Sequence, residues 1–84
     1  MMNLHISHEL KVLPKYFKPG ASGDKPFEVR RNDRDYKVGQ VILLREWTED
    51  GGYTGYAFRR RITYILDDPE YVIPGYVILG LKSV

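Results

Sequence analysis

Turn-forming residues recur along the chain of 84 residues and leave room only for short secondary-structure elements between them. Glycine, proline, asparagine and aspartate favour turns because they adopt or stabilise backbone conformations that helices and strands exclude. Such residues cluster at Pro19-Gly20, at residues 32–35, at residues 50–52, at residues 67–70 and at Pro74-Gly75. The intervals fit five or six short strands and one small helix, which predicts a single α+β domain over residues 1–84 that is mostly β.

The pattern of apolar residues locates the strands. Strands are predicted over residues 2–8, 25–30, 41–47, 56–66 and 76–81, the third and fifth from their apolar runs and the others from alternation of apolar and polar residues. In the fourth of these, Phe58, Ile62 and Tyr64 are expected on the apolar face, with Arg60 on that face near an exposed end. A small, mostly antiparallel β-barrel is the predicted architecture, because a closed sheet leaves no exposed edge.

A short helix is predicted after the first strand. Leu10, Leu13 and Phe17 recur at helical spacing around Pro14, and proline is tolerated in the first turn of a helix. We expect the helix to run from about residue 14 to residue 18, and Pro19 and Gly20 to end it.

Composition excludes several classes of protein. The chain contains no cysteine, which rules out disulfides, thiol catalysis and thiolate metal sites. The longest apolar runs have four residues, as at residues 41–44, whereas a membrane-spanning helix needs about 20. His5 and His8 lie three apart, so on a strand they face opposite sides and chelate a metal poorly. We therefore expect a cytoplasmic protein without membrane contact, bound metal or cofactor.

The charges are nearly balanced overall but clustered locally. A net charge of +2 is too small to indicate nucleic-acid binding by itself. Residues 28–37 carry both signs, whereas Arg59, Arg60 and Arg61 form a purely basic triplet. A guanidinium suits phosphate and carboxylate groups. Two interpretations of these arginines stay open, phosphate contact and a solvated strand surface.

One short motif carries the most chemistry. Residues 23–30 spell G-x-K-x-x-E-x-R, from Gly23 through Lys25 and Glu28 to Arg30. Glu28 and Arg30 lie two apart on a predicted strand, so their side chains share a face. The glutamate is suited to accept from an exocyclic amine or a ribose hydroxyl, and the arginine to bind phosphate or a base edge. The alternative is structural: Glu28 and Arg30 pair with each other or with neighbours and hold the rim of the barrel.

This motif resembles the signature of the ASCH domains in the PUA-like β-barrel superfamily. Flanking segments are similar to DUF3850, a family of small bacterial and phage proteins within that superfamily. These segments include residues 8–11, 15–17, 27–36, 62–66 and 75–79 together with Val38-Gly39 and Tyr53-Thr54-Gly55. The resemblance implies a PUA-like barrel whose cleft, beside the small helix, binds nucleic acid or a nucleotide.

The resemblance also assigns residues to that cleft. Carried over by position, it implies binding by Lys25, Glu28 and Arg30, with Gly23 shaping the loop. The segment that resembles DUF3850 also contains Arg31, Asn32 and Arg34, which are expected at the same rim. Some members of the superfamily are N4-acetylcytidine amidohydrolases that use a lysine and a threonine of this motif. Lys25 matches the lysine, but Glu28 stands where the threonine would be.

The sequence therefore predicts an RNA- or nucleotide-binding module in which Lys25 and Arg30 hold phosphate and Glu28 reads a base edge or ribose. Two alternatives stay open. One is a small amidohydrolase for a modified nucleoside such as N4-acetylcytidine, with Lys25 and Glu28 as acid–base groups. The other is a noncatalytic protein-interaction module.

Tyr53, in a predicted hairpin loop, is the best candidate for an exposed ring that stacks on a base. Whether the protein is an enzyme, and its oligomeric state, are left open by the sequence.

Overall fold

The computed structural model describes residues 5–84 and contains one helix and five strands within that range. In chain order these are β1 (Ile6–Val12), α1 (Pro14–Ser22), β2 (Phe27–Arg31), β3 (Val41–Thr48), β4 (Gly52–Leu66) and β5 (Tyr76–Lys82). The prediction of a mostly β domain with one short helix is confirmed. Of the strand predicted over residues 2–8, residues 2–4 lie outside the described range. Within residues 5–84, no helix has the length and apolar character needed to cross a membrane.

The five strands form one mixed sheet in the order β1-β3-β4-β5-β2. β1 runs parallel to β3, and the other three neighbouring pairs are antiparallel. A parallel pair requires a crossover connection, and here the crossover contains α1 and β2. β1 and β2 are the two edges of the sheet, and it is not closed by pairing between them. The barrel predicted from the sequence therefore stays a prediction.

The hydrophobic core lies on one face of the sheet. Leu44 of β3 stands beside Leu10 of β1 and Phe58 of β4, and Ile62 of β4 stands opposite Leu81 of β5. α1 packs over this face through Phe17, whose ring meets the Phe58 ring edge-on at 5.2 Å between centroids. The buried members of the core are Leu10, Val12, Tyr36, Ile42, Leu44, Ile62, Val77, Leu79 and Leu81.

The helix is longer than the sequence pattern predicts. α1 continues through Pro19 and Gly20 to Ser22, so the expectation that these two residues end it is wrong. Gly20 is retained in the helix because it packs against Phe58: a Cβ at this position would lie 2.8 Å from the Phe58 Cζ. The helix ends instead at Gly23, whose φ of 91° is left-handed and whose N–H donates to the Gly20 carbonyl at 3.3 Å.

A bulge in β4 changes which side chains face the core. The register passes from Ile62 opposite Leu81 to Tyr64 opposite Gly80, so two residues of β4 stand against one of β5. Tyr64 is consequently 64% exposed, and the prediction that it lies on the apolar face with Ile62 is wrong. Alternation alone could not reveal this bulge, since it depends on the pairing with β5.

Candidate functional site

A groove of about 560 Å³ opens between the edge strands β1 and β2 and extends to α1. β1 and the residue after it contribute one side, β2 contributes the other, and Tyr16 comes from the helix. The complete lining is Lys11, Val12, Leu13, Tyr16, Lys25, Phe27, Glu28, Val29 and Arg30. The groove thus contains the lysine, glutamate and arginine of the sequence motif.

Glu28 is the buried charge of this groove. Its position opposite Leu79 of β5 turns it toward the core face, and only 5% of the residue is exposed. Lys25 Nζ donates to Glu28 Oε2 at 2.6 Å, while Arg30 donates to Oε1 from Nε at 3.1 Å and from Nη2 at 2.9 Å. A buried carboxylate requires such partners, because its desolvation is otherwise very costly. The shared face of Glu28 and Arg30, predicted from their spacing, is confirmed.

Two arginines connect the edges of the sheet. Arg30 Nη2 donates to the Lys11 carbonyl at 2.6 Å, and Arg34 Nη1 donates to the Glu9 carbonyl at 2.9 Å. Residues two apart on a strand point their carbonyls in the same direction, so Glu9 and Lys11 present one row of acceptors. Side chains rather than a backbone ladder therefore join β1 to the region of β2.

The open edge of β2 adds backbone groups to the groove. Leu81 donates to the Pro26 carbonyl at 3.0 Å and Asn32 donates to the Gly75 carbonyl at 2.8 Å, which directs the even-numbered residues of β2 toward β5. Because hydrogen bonding alternates along an antiparallel strand, the backbone of Phe27 and Val29 points away from β5. The Phe27 carbonyl accepts from Lys25 Nζ at 2.8 Å.

A smaller cavity of about 170 Å³ lies on the other side of Arg30. Its lining is Leu10, Arg30, Arg31, Asp33, Arg34 and Tyr36. The Tyr36 ring is buried and meets the His8 ring edge-on at 4.9 Å between centroids. Burial raises the pKa of the Tyr36 hydroxyl, and the charges of Arg30 and Arg34 oppose that rise. Arg30 therefore lines both cavities.

The six predicted binding residues are distributed unequally. Lys25, Glu28 and Arg30 come together in the groove, whereas Arg31 and Arg34 line the smaller cavity with Arg30. Gly23 lines neither cavity. Its left-handed φ ends α1, and that role accounts for a glycine at this position without a ligand.

The basic triplet in β4 divides into separate roles. Arg60 Nη2 donates to the carbonyls of Gly20 at 3.3 Å and Ala21 at 2.8 Å, which satisfies acceptors at the end of α1. Arg61 Nη1 donates to the Gly39 carbonyl at 2.6 Å. Arg59 is exposed. Two members of the triplet therefore have internal hydrogen bonds, which the basic run itself does not indicate.

Two aromatic side chains lie beside cations on the outer face of the sheet. Tyr53 is exposed as predicted, but the guanidinium carbon of Arg45 lies 3.7 Å from its ring centroid. Lys11 Nζ lies 4.7 Å from the Trp47 ring centroid. One face of each ring is therefore already in contact with a cation.

Sequence reasoning missed Lys11, Tyr16 and Tyr36. Lys11 enters the groove because β1 pairs with β3, and Tyr36 becomes buried because the segment after β2 folds back beside β1. These contacts join residues far apart in the chain, so no local pattern predicts them. Tyr16 carried a weak signal, since it lies in the predicted helix one residue before the core residue Phe17.

Comparison with known proteins places the chain in a family. The sequence profile of DUF3850, a domain of unknown function, matches residues 7–81. The chain belongs to this family. The DUF3850 match includes every residue that lines the groove and the smaller cavity.

A phage protein is similar to this DUF3850 chain. It is described as an uncharacterized 12.9 kDa protein in the GpA 3′ region of Escherichia phage P2, and the two are 38% identical over 72 residues. The aligned segment covers 86% of this chain and 64% of the phage protein. The chain therefore spans less than two thirds of that relative's length.

Proposed function

We propose that this chain is a PUA-like module that binds RNA or a nucleotide in the groove between β1 and β2. The observation that supports this most is the charge of the groove lining, in which the two cations Lys25 and Arg30 surround the single carboxylate Glu28, while Lys11 contributes its backbone carbonyl. Because Glu28 already forms ion pairs with both cations, the net charge that the groove presents to a ligand is positive. A phosphate-bearing ligand supplies the complementary charge.

The hydrogen bonds leave capacity for a ligand. Glu28 Oε1 accepts twice from Arg30, whereas Oε2 accepts once, from Lys25, so Oε2 keeps an acceptor site. Lys25 Nζ donates to two partners among the described residues and has three N–H groups. In the proposal, the remaining lysine donor binds phosphate and the remaining glutamate lone pair accepts from a base amine or a ribose hydroxyl.

Exposed rings flank the charged centre. Tyr16 is 45% exposed and Phe27 is 41% exposed. Their ring centroids lie 5.6 Å and 5.1 Å from Lys25 Nζ. Stacking of a base on an aromatic ring contributes about 1–3 kcal/mol and depends little on sequence. The groove thus offers stacking and phosphate contacts side by side, which is the combination that single-stranded RNA requires.

The PUA-like barrel forms part of the same proposal. The hydrogen bonds of Arg30 and Arg34 to the carbonyls of β1 support it, because they bring the two sheet edges near each other without backbone pairing. The ASCH-type motif at residues 23–30 gives the same assignment by resemblance. A cytoplasmic location, where RNA is abundant, is the location we propose.

A titration with single-stranded RNA at two salt concentrations tests the proposal. With two to three phosphate contacts and a slope of about −0.7 per contact, Kd should rise about tenfold between about 50 mM and about 200 mM salt. Absence of binding at the lower salt concentration contradicts the proposal.

A second candidate, a nucleoside amidohydrolase, is favoured by one distance. Lys25 Nζ and Glu28 Oε2 lie 2.6 Å apart in the groove, close enough to act as an acid–base pair. Such an enzyme adds water across the amide of N4-acetylcytidine, breaks its C–N bond and releases cytidine and acetate. Chromatography of the nucleoside after incubation decides this: cytidine formation that is lost in Lys25→Gln supports hydrolysis, and unchanged substrate excludes it for this compound.

A third candidate, protein interaction, is favoured by the open edge of β2. Phe27 and Val29 are exposed there, and their backbone groups point away from β5. An added strand of a partner is the ligand that this edge would take. If the protein binds no RNA and leaves the modified nucleoside intact, protein interaction through this edge is the remaining candidate function.

A further inference from the structure

We propose that the smaller cavity beside Arg30 binds a terminal phosphate group, with the Tyr36 hydroxyl and the guanidinium groups of Arg30 and Arg34 as donors. This inference rests on the proposed function, since it gives the phosphomonoester end of a bound nucleotide or RNA its own subsite. The cavity of about 170 Å³ is several times the volume of one liquid water, about 30 Å³. It therefore has room for a tetrahedral anion.

The charge of the lining matches a phosphomonoester. Arg30, Arg31 and Arg34 contribute three positive charges and Asp33 one negative charge, which leaves a formal excess of two among the lining residues, and Arg30 shares its charge with Glu28. A phosphomonoester carries about −1.5 to −2 at neutral pH. Asp33 Oδ1 lies 4.0 Å from Arg34 Nε, and both side chains are largely exposed, so this ion pair neutralises little of the guanidinium charge.

Two of the arginines are held in place by the neighbouring strand. Arg30 uses Nε and Nη2 for Glu28 and for the Lys11 carbonyl, and Arg34 uses Nη1 for the Glu9 carbonyl. Among the described residues, Arg30 Nη1 and Arg34 Nη2 make no hydrogen bond. Guanidinium groups that are already oriented lose less conformational freedom when they bind an anion.

Tyr36 provides a neutral donor. Its residue is only 8% exposed, yet its hydroxyl makes no hydrogen bond within the described range. No side-chain oxygen or nitrogen of that range is both fully buried and unpartnered, so the hydroxyl keeps some exposure to solvent, and Tyr36 lines the cavity. The His8 ring packs on one side, and His8 Nε2 lies 2.9 Å from Gln40 Oε1, which fixes that ring beside the tyrosine.

The two cavities suit the two ends of one ligand. Arg30 lines both, so a ligand whose base or ribose lies in the groove can place an adjoining phosphate on the other side of the guanidinium. The Tyr36 hydroxyl is protonated at neutral pH, as a tyrosine with its ordinary pKa of 10.0 already is, and only the protonated form donates to an anion.

The experiment compares one RNA oligomer in three forms: with free 5′ and 3′ hydroxyls, with a 5′ phosphate and with a 3′ phosphate. We expect wild type to bind one phosphorylated form about tenfold more tightly than the hydroxyl form. Tyr36→Phe removes one oxygen that has no protein partner, so the fold should be retained. The variant also lacks the neutral donor to the phosphate, so most of the preference for the phosphorylated RNA should be lost. Tyr71→Phe changes an exposed tyrosine that lines neither cavity and should keep the full preference.

A second titration, with inorganic phosphate followed by NMR, separates the two proposals. Equal binding of all three RNA forms, or a full preference retained in Tyr36→Phe, overturns the phosphate subsite and leaves RNA binding in place. If no RNA form binds but inorganic phosphate shifts the Arg34 signals in wild type and not in Tyr36→Phe, the subsite stands and the proposed function fails. Shifts that Tyr36→Phe leaves unchanged count against the subsite.

Discussion

Arg30 donates through Nη2 to the Lys11 backbone carbonyl at 2.6 Å, across the space between the two edges of the sheet. The same nitrogen also donates to Glu28 Oε1 at 2.9 Å. One guanidinium therefore compensates the buried carboxylate and joins β2 to β1. The groove exists in its present shape because these two edges are held at this separation.

Arg30→Lys should destabilise the protein by about 1–2 kcal/mol, because a lysine cannot donate to both the carboxylate and the carbonyl in this geometry. Urea unfolding measures the effect. Arg59→Lys, on the exposed face of β4, is the matched control and should stay within about 0.5 kcal/mol of wild type. Equal midpoints for Arg30→Lys and wild type would show that this connection is not important for stability.

Lys25 and Glu28 should be energetically coupled. Their side chains are 19% and 6% exposed and their charged atoms lie 2.6 Å apart. Lys25→Met and Glu28→Gln should each destabilise the fold, and the double variant should be less destabilised than their sum by about 1 kcal/mol. Unfolding of the four proteins in urea gives the coupling. Strict additivity would mean that the ion pair does not contribute.

Tyr36 should make stability fall at alkaline pH. Burial raises its pKa above the ordinary value of 10.0. The unfolded chain therefore loses this proton first, so the contribution of Tyr36 is complete below about pH 10 and is lost as pH rises through the pKa of the folded state. Tyr36→Phe should reduce the loss of stability above pH 10, as measured by urea unfolding across this range.

The tyrosinate absorbance of the folded protein gives an independent check. The chain has seven tyrosines, and in wild type one should ionise above the ordinary pKa of 10.0. Arg34→Gln removes a positive charge that lowers this pKa, so it should delay the late phase further. A late phase that persists in Tyr36→Phe assigns it to another tyrosine and contradicts the account.

Gly20→Ala should destabilise the protein although alanine favours helices. In an exposed helix this change stabilises by about 1 kcal/mol. Here the added Cβ would lie 2.8 Å from Phe58 Cζ, and displacement of this ring should produce a net loss of about 1–3 kcal/mol. Thermal unfolding measures it. A rise in Tm would mean that Phe58 moves aside at little cost.

Local sequence patterns predicted the part of the site that lies within one strand. The two-residue spacing of Glu28 and Arg30 placed both on one face, as the structure has them. This spacing does not distinguish between binding of a ligand by Glu28 and Arg30 and an ion pair between the two. The structure shows that they pair and also line the groove, so the two interpretations are compatible.

The remaining features depend on contacts between distant segments. The row of carbonyls at Glu9 and Lys11 faces the arginines only because β1 pairs in parallel with β3. α1 extends past Pro19 because Gly20 fits against Phe58, which lies 38 residues later in the sequence. Tyr36, between Asp35 and Lys37, resembles a loop residue in the sequence, and its burial follows from packing beside His8.

Charge-matched variants test most directly whether RNA binds in this groove. Lys25→Gln combined with Glu28→Gln removes one positive and one negative charge, so the net charge stays +2. Lys18→Gln combined with Glu49→Gln does the same at two exposed positions outside the groove. Circular dichroism at the temperature of the binding experiment verifies that both variants are folded.

At low salt, we predict that wild type and the Lys18, Glu49 variant bind single-stranded RNA equally, and that the Lys25, Glu28 variant binds at least about tenfold more weakly. Equal affinity of all three folded proteins would contradict the account, because it would locate RNA binding outside the groove.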